Sequence, residues 1–172
     1  MVLVLRRTAL FVAIVLLWAL LAAGAARSAP IDREVVAFSG FRPGTIVVKT
    51  QERRLYYVVD RKRALRFPVG VGKTGWRWSG RAVIEGKYVK PAWRAPPELA
   101  RGRYAPVIPG GSPQNPMGVA ALTMRNGEYA IHGTNNPGSI GGFVSHGCIR
   151  MYNRDIQELY RLVNVGTPVI VE

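Results

Sequence analysis

The sequence is nearly without cysteine: Cys148 is the only one in 172 residues. A disulfide framework is thereby excluded, and the lone sulfur is either a buried filler or a working thiol. Histidine is almost as scarce, with His132 and His146 the only two. Two imidazoles and one thiol could supply three zinc ligands. No carboxylate lies close to them in sequence, however, and a tight glycine loop around His146 and Cys148 suits a thiolate better. Neither a metal nor another cofactor is therefore expected. Acidic residues are few, 10 against 24 Lys and Arg, which leaves a formal net charge of +14. Such an imbalance points to an anionic partner, whether nucleic acid, acidic lipid or an anionic polymer, or else to an ordinary surface rich in arginine. There is no internal repeat and no low-complexity tail.

Long apolar runs are also missing, with one exception. Arg6 and Arg7 precede an uncharged stretch of 19 residues, 8–26, which ends in Ala22-Ala23-Gly24-Ala25-Ala26. A basic start, an apolar middle and a small-residue end describe an export signal. The run is also long enough to serve as an uncleaved anchor. Residues 1–29 are accordingly read as a signal peptide, cleaved after Ala25 or Ala26, or as an N-terminal membrane anchor. Either way the protein is expected to be exported, to the periplasm or cell envelope. Nucleic acid then drops out as the anionic partner.

The remainder is long enough for one domain with a proper core. Residues 30–43 read as a linker or lead-in strand. Residues 45–50 and 55–59 read as strands joined by a short charged turn. A third strand runs over 64–72, where Pro68 argues for an edge or a bulge. Residues 81–89 are read as one further strand. Six prolines between 91 and 115 exclude regular helix there. A stretch this long without structure inside a domain is expected to be a lid or binding loop. Strands over 117–124 and 129–131 flank Asn126-Gly127, a strong hairpin signal. One helix follows, with Asn153 as its cap, Asp155 in its first turn, and Ile156, Leu159, Tyr160 and Val163 on one face. Residues 168–171 form a closing strand. The expected fold is mainly β with one packed helix.

The chemistry concentrates in two loops. His132 ends a strand and enters Gly133-Thr134-Asn135-Asn136-Pro137. Further on comes Val144-Ser145-His146-Gly147-Cys148-Ile149-Arg150. A free thiol is only about 3% thiolate at pH 7, so Cys148 needs a base or a positive neighbour to react well. His132, held rigidly at a strand end, is the candidate base. The N–H groups of Gly147 and Cys148 can form an oxyanion hole. Arg150 can hold a carboxylate through two parallel hydrogen bonds, or form a structural ion pair. His146 and Ser145 either touch substrate or brace the loop.

These two loops together resemble the catalytic signature of the L,D-transpeptidases, bacterial cell-wall enzymes of the YkuD fold. The resemblance runs from about residue 44 to the C-terminus, so residues 44–172 are read as the catalytic domain. It implies a YkuD-like β-sandwich or barrel of mixed strands. It further implies Cys148 as nucleophile, His132 as proton donor and acceptor, and the Gly133 carbonyl as the group orienting His132. Peptidoglycan stem peptides would be the partner. Cys148 would form a thioester with the third residue of a tetrapeptide stem and release D-Ala, in the manner of a carbapenem target. An amine would then take the acyl group: a second stem giving a 3–3 cross-link, an envelope lipoprotein, or a D-amino acid. With water as acceptor the same site is an L,D-carboxypeptidase, and with the wall–lipoprotein amide as donor it is a hydrolase. Two features depart from the family. The segment Trp78-Ser79-Gly80-Arg81-Ala82-Val83 lacks the Thr-Pro-x-Gly stretch that many members carry, and no separate wall-binding module accompanies the domain. Sortases share the order His, Cys, Arg, but without a His-Gly before the Cys and with the Arg further downstream. NlpC/P60 peptidases run Cys before His. A non-catalytic basic protein that binds wall polyanions by charge is the remaining alternative.

Overall fold

The computed structural model describes residues 34–172. The expected leader, residues 1–29, and the first part of the linker lie outside them. Among the described residues no helix is long and apolar enough to cross a membrane.

The elements follow in chain order as strands β1 (Glu34–Ala37), β2 (Ile46–Lys49), β3 (Arg54–Val58), β4 (Arg63–Pro68), β5 (Val71–Gly72), β6 (Gly80–Val83), β7 (Gly86–Val89), β8 (Trp93–Arg94), β9 (Val107–Ile108), β10 (Ala120–Met124), β11 (Tyr129–His132), β12 (Phe143–Ser145) and β13 (Ile149–Arg150), then helix α1 (Asn153–Leu162) and β14 (Pro168–Val171). A six-stranded sheet has the order β1-β4-β3-β2-β14-β6, and a four-stranded sheet the order β13-β11-β10-β7. Parallel and antiparallel pairings mix in both, and neither sheet closes on itself. Among the described residues the fold is thus mainly β with one α-helix, as expected, but it is not a barrel.

Strand alternation decides where the core lies. In β2, Ile46 and Val48 point into the main core with Leu55 and Phe67, while Val47 points to the other face with Tyr56, Val58 and Ala64. That second face is covered by Phe38 and Phe41, whose rings stack on each other and, through Phe38, on Tyr56. In the four-stranded sheet Ala120, Leu122, Met124, Ile131 and Ile149 face the core, where they meet Ile156 and Leu159 of α1. The opposite face is thereby left for Ala121, Thr123, Ala130 and His132. Two outside donors satisfy carbonyls at the helix end: Lys87 Nζ donates to Val163 O at 2.6 Å and Tyr57 Oη to Leu162 O at 3.2 Å.

Four expectations need correction. Residues 64–72 are not one strand: β4 belongs to the six-stranded sheet, whereas β5 pairs with β12. Residues 81–89 are not one strand: β6 belongs to the larger sheet and β7 to the smaller. The chain crosses between them at buried Ile84, whose N–H donates to Thr167 O and whose carbonyl accepts from Gly166 N–H. The proline-rich segment carries a short ribbon, β8 with β9. Asn153 does not cap α1. Tyr152 holds that position with no side-chain bond, and the Asn153 carboxamide is engaged elsewhere.

Candidate active site

The Ser-His-Gly-Cys segment bridges two ladders. Before it, β12 runs parallel to β5. After it, β13 runs parallel to β11, pairing Ile131 with Ile149 and His132 with Arg150. Cys148 therefore falls beside Ala130, two positions before the His132–Arg150 pair, and alternation puts its side chain on the sheet face that carries His132. Thiol and imidazole are thus diagonal neighbours on adjacent parallel strands.

The loop is fixed at each residue. Ser145 is 1% exposed; its hydroxyl donates to Cys148 O at 2.6 Å and accepts from Gly147 N–H at 3.2 Å. Both roles of Ser145 are spent inside the loop, so it braces the turn and does not face substrate. For the same reason the Gly147 N–H is not free for an oxyanion. What Gly147 supplies is conformation: its φ is +112°, and a Cβ there would lie 2.4 Å from the Tyr129 ring. Among the described residues nothing accepts a hydrogen bond from the Cys148 N–H, which leaves it as the available oxyanion donor.

His132 is 4% exposed. Its Nδ1 lies 2.6 Å from the Gly133 carbonyl, which can only accept, so Nδ1 carries the proton and Nε2 the lone pair. The turn that brings Gly133 into place is held by Asn153, whose Oδ1 accepts from Thr134 N–H at 3.0 Å and Val119 N–H at 3.3 Å. A Cβ on Gly133 would come within 2.3 Å of that oxygen. Glycine follows His132 because the Asn153 brace leaves no room for a side chain.

Cys148 and His146 line a cavity of about 540 Å³ together with Trp76, Tyr129, Met117 and, from the proline-rich segment, Trp93 and Leu99. The segment expected to be a lid does form one wall of this cavity. His132 and Arg150 are not among the residues that line it. His146 packs edge-on against Trp76, with ring centroids 4.7 Å apart. The guanidinium of Arg150 is near enough for its charge to act on Cys148, His132 and His146 alike. Its Nε is buried without a hydrogen-bond partner among the described residues. Trp76 and Tyr129 on the cavity wall, with Trp78 stacked on Tyr129, were not foreseen from sequence; the one signal for them is two tryptophans in a short loop.

The model of the YkuD family, described as the L,D-transpeptidase catalytic domain, matches residues 43–171. The chain belongs to that family. It is 36% identical over 146 residues to the probable L,D-transpeptidase ErfK/SrfK of Escherichia coli K12, covering 81% of this chain and 47% of the relative. It is 37% identical over 134 residues to the probable L,D-transpeptidase YbiS of the same strain, covering 72% and 43%. The chain thus spans less than half the length of these curated relatives. Among solved structures, the catalytic domain of the Enterococcus faecium L,D-transpeptidase shares the fold with a TM-score of 0.60 at 21% identity, covering 78% of this chain and all of that one. An L,D-transpeptidase from Mycobacterium smegmatis gives 0.59 at 22%, covering 74% and 58%.

The electrostatics of this L,D-transpeptidase domain favour the neutral forms of the His132 imidazole and the Cys148 thiol. Burial is the main cause that takes His132 below its ordinary 6.5 to about 4, with the Arg150 charge adding to it and the carbonyls of Gly133 and Pro116 opposing it. Burial likewise pushes the Cys148 thiol up, against a backbone hydrogen bond from Ala130 and the Arg150 charge. A stability effect follows from His132. Between pH 6.5 and about 4 the unfolded chain binds a proton that the folded chain refuses, so stability is intact above 6.5 and falls as pH drops through this window. The full loss is about 3 kcal/mol. His132→Gln should remove this component, which thermal melts of both proteins from pH 7 to 4 would measure as a shallower decline in Tm for the variant.

Proposed function

We propose that this chain carries the catalytic domain of an exported L,D-transpeptidase acting on peptidoglycan stem peptides. Cys148 Sγ attacks the carbonyl at the L-centre of the third residue of a tetrapeptide stem, and His132 Nε2 takes the thiol proton. The tetrahedral oxyanion accepts a hydrogen bond from Cys148 N–H. The C–N bond to D-Ala then breaks, the imidazole returns the proton to the departing amine, and a thioester remains on Cys148. An amine of a second stem attacks the thioester, its proton leaves through His132, and the thiol is restored. The observation that carries this reading is the juxtaposition on one sheet face of a cavity-lining thiol, its own unengaged N–H, and a neutral imidazole whose Nδ1 is fixed.

Intact-protein mass after incubation with meropenem tests it. The wild type should gain the mass of one intact drug molecule and Cys148→Ala should gain none; an unmodified wild type would sink the proposal. Arg150 has the role of binding a stem carboxylate, supported by its buried, unpartnered Nε. A charge-assisted hydrogen bond of this kind contributes enough that Arg150→Ala should raise KM about 10- to 100-fold while kcat changes little. Steady-state kinetics on a tetrapeptide donor would check this, and an unchanged KM would leave Arg150 a purely structural residue.

A further inference from the structure

Trp78 lies in the loop between β5 and β6, yet its indole is turned inward across the molecule. Its Nε1–H donates to the Gly147 carbonyl oxygen at 3.1 Å, a partner 69 residues away. The ring stacks on Tyr129 with centroids 4.8 Å apart and planes 15° from parallel. The Arg125 guanidinium sits over both rings, at 5.5 Å from Trp78 and 5.8 Å from Tyr129. Tyr129 in turn fills the space where a side chain on residue 147 would go. One peptide group, Gly147–Cys148, is therefore gripped at its carbonyl end by an indole and along its flank by a phenol ring.

The other end of that same peptide is the Cys148 N–H. A peptide group is planar and trans, so fixing the direction of its C=O fixes the direction of its N–H. A hydrogen bond accepted by the carbonyl also polarises the group and strengthens its N–H as a donor. We infer that Trp78 is a positioning residue of the oxyanion site, aiming and strengthening the Cys148 N–H through the Gly147 carbonyl. The inference rests on the acyl-transfer reading above and adds a residue in the segment where this chain departs from the usual family sequence. Here an indole in that segment takes part in the chemistry at a distance of one peptide bond.

Two reactions of the same sulfur separate this role from a merely structural one. Acylation by meropenem builds an oxyanion; alkylation by iodoacetamide is a displacement at a saturated carbon and builds none. Trp78→Phe keeps a ring to stack on Tyr129 and removes the donor. It should slow acylation about 10-fold, less than the loss of a direct oxyanion donor. Alkylation should stay within about twofold of wild type, because the thiol itself is untouched. Unchanged acylation would overturn the inference, and so would a parallel fall in both rates, which would make Trp78 a support for the loop as a whole. Should Trp78→Phe melt below the assay temperature, benzothienylalanine at position 78 replaces only the N–H with sulfur in an isosteric ring and is held to the same outcomes. A wild type that iodoacetamide alkylates and meropenem does not acylate would overturn the acyl-transfer reading itself, and this inference with it.

Discussion

Cys148→Ser should lower acyl transfer by at least about a thousandfold and abolish the meropenem adduct. The reason lies in the base as much as in the nucleophile. Imidazole at about 4 and thiol above its ordinary 9 rest as a neutral pair. Moving the proton to make thiolate and imidazolium is therefore uphill, since burial disfavours both charges. A turnover of about one per second tolerates a total barrier of about 17 kcal/mol, so a thiol can carry that cost. An alcohol gives up its proton several pKa units less readily, and each unit adds about 1.4 kcal/mol. A base as weak as His132 has no reserve to meet it. The variant should nevertheless fold, because Cys148 makes its backbone contacts through Ser145 and the β11–β13 ladder. Rates by mass spectrometry alongside thermal melts would separate lost chemistry from lost structure. A serine variant within tenfold of wild type would mean that the sulfur is not the attacking atom.

The thiol, the two imidazoles and the strand that ends at His132 were legible in the sequence because each depends on local signals. Alternation marked the meander, Asn126-Gly127 marked the hairpin, and the apolar face marked the helix that packs behind it. What was not legible depends on partners far along the chain. Alternation over 81–89 says which residues face inward but not that Ile84 is the crossing between two sheets. Asn153 has the right residue type and position for a helix cap, yet its carboxamide goes to Thr134 and Val119, 19 and 34 residues away. Two N–H groups could be named for an oxyanion hole, but only the fold shows that the Ser145 hydroxyl takes one of them. Of the two readings open for Ser145 in the sequence, its bonds to Cys148 O and Gly147 N–H favour the scaffold. Trp78 reads in sequence as an odd loop aromatic, since its partner is a carbonyl of the Ser-His-Gly-Cys loop, 69 residues away.

His132→Ala should cut acyl transfer about 10²- to 10⁴-fold, the usual contribution of a positioned general base, while leaving the alkylation of Cys148 by iodoacetamide nearly unchanged at every pH. These two halves belong together. If imidazolium and thiolate formed a resting ion pair, removing the imidazole would raise the thiol's pKa and shift the whole alkylation profile. Here burial disfavours charge on both groups, and the positive charge identified as acting on the sulfur belongs to Arg150, not His132. Alkylation of the wild type should therefore rise steadily with pH and reach its plateau only above the ordinary thiol range. Acylation by meropenem should behave differently at the acid end. The base that serves it is protonated only near pH 4, so from pH 7 down to about 5 the neutral imidazole is retained. An alkylation profile with a step below pH 7 that disappears in His132→Ala would show the opposite arrangement, a thiolate already formed by its imidazolium before substrate arrives.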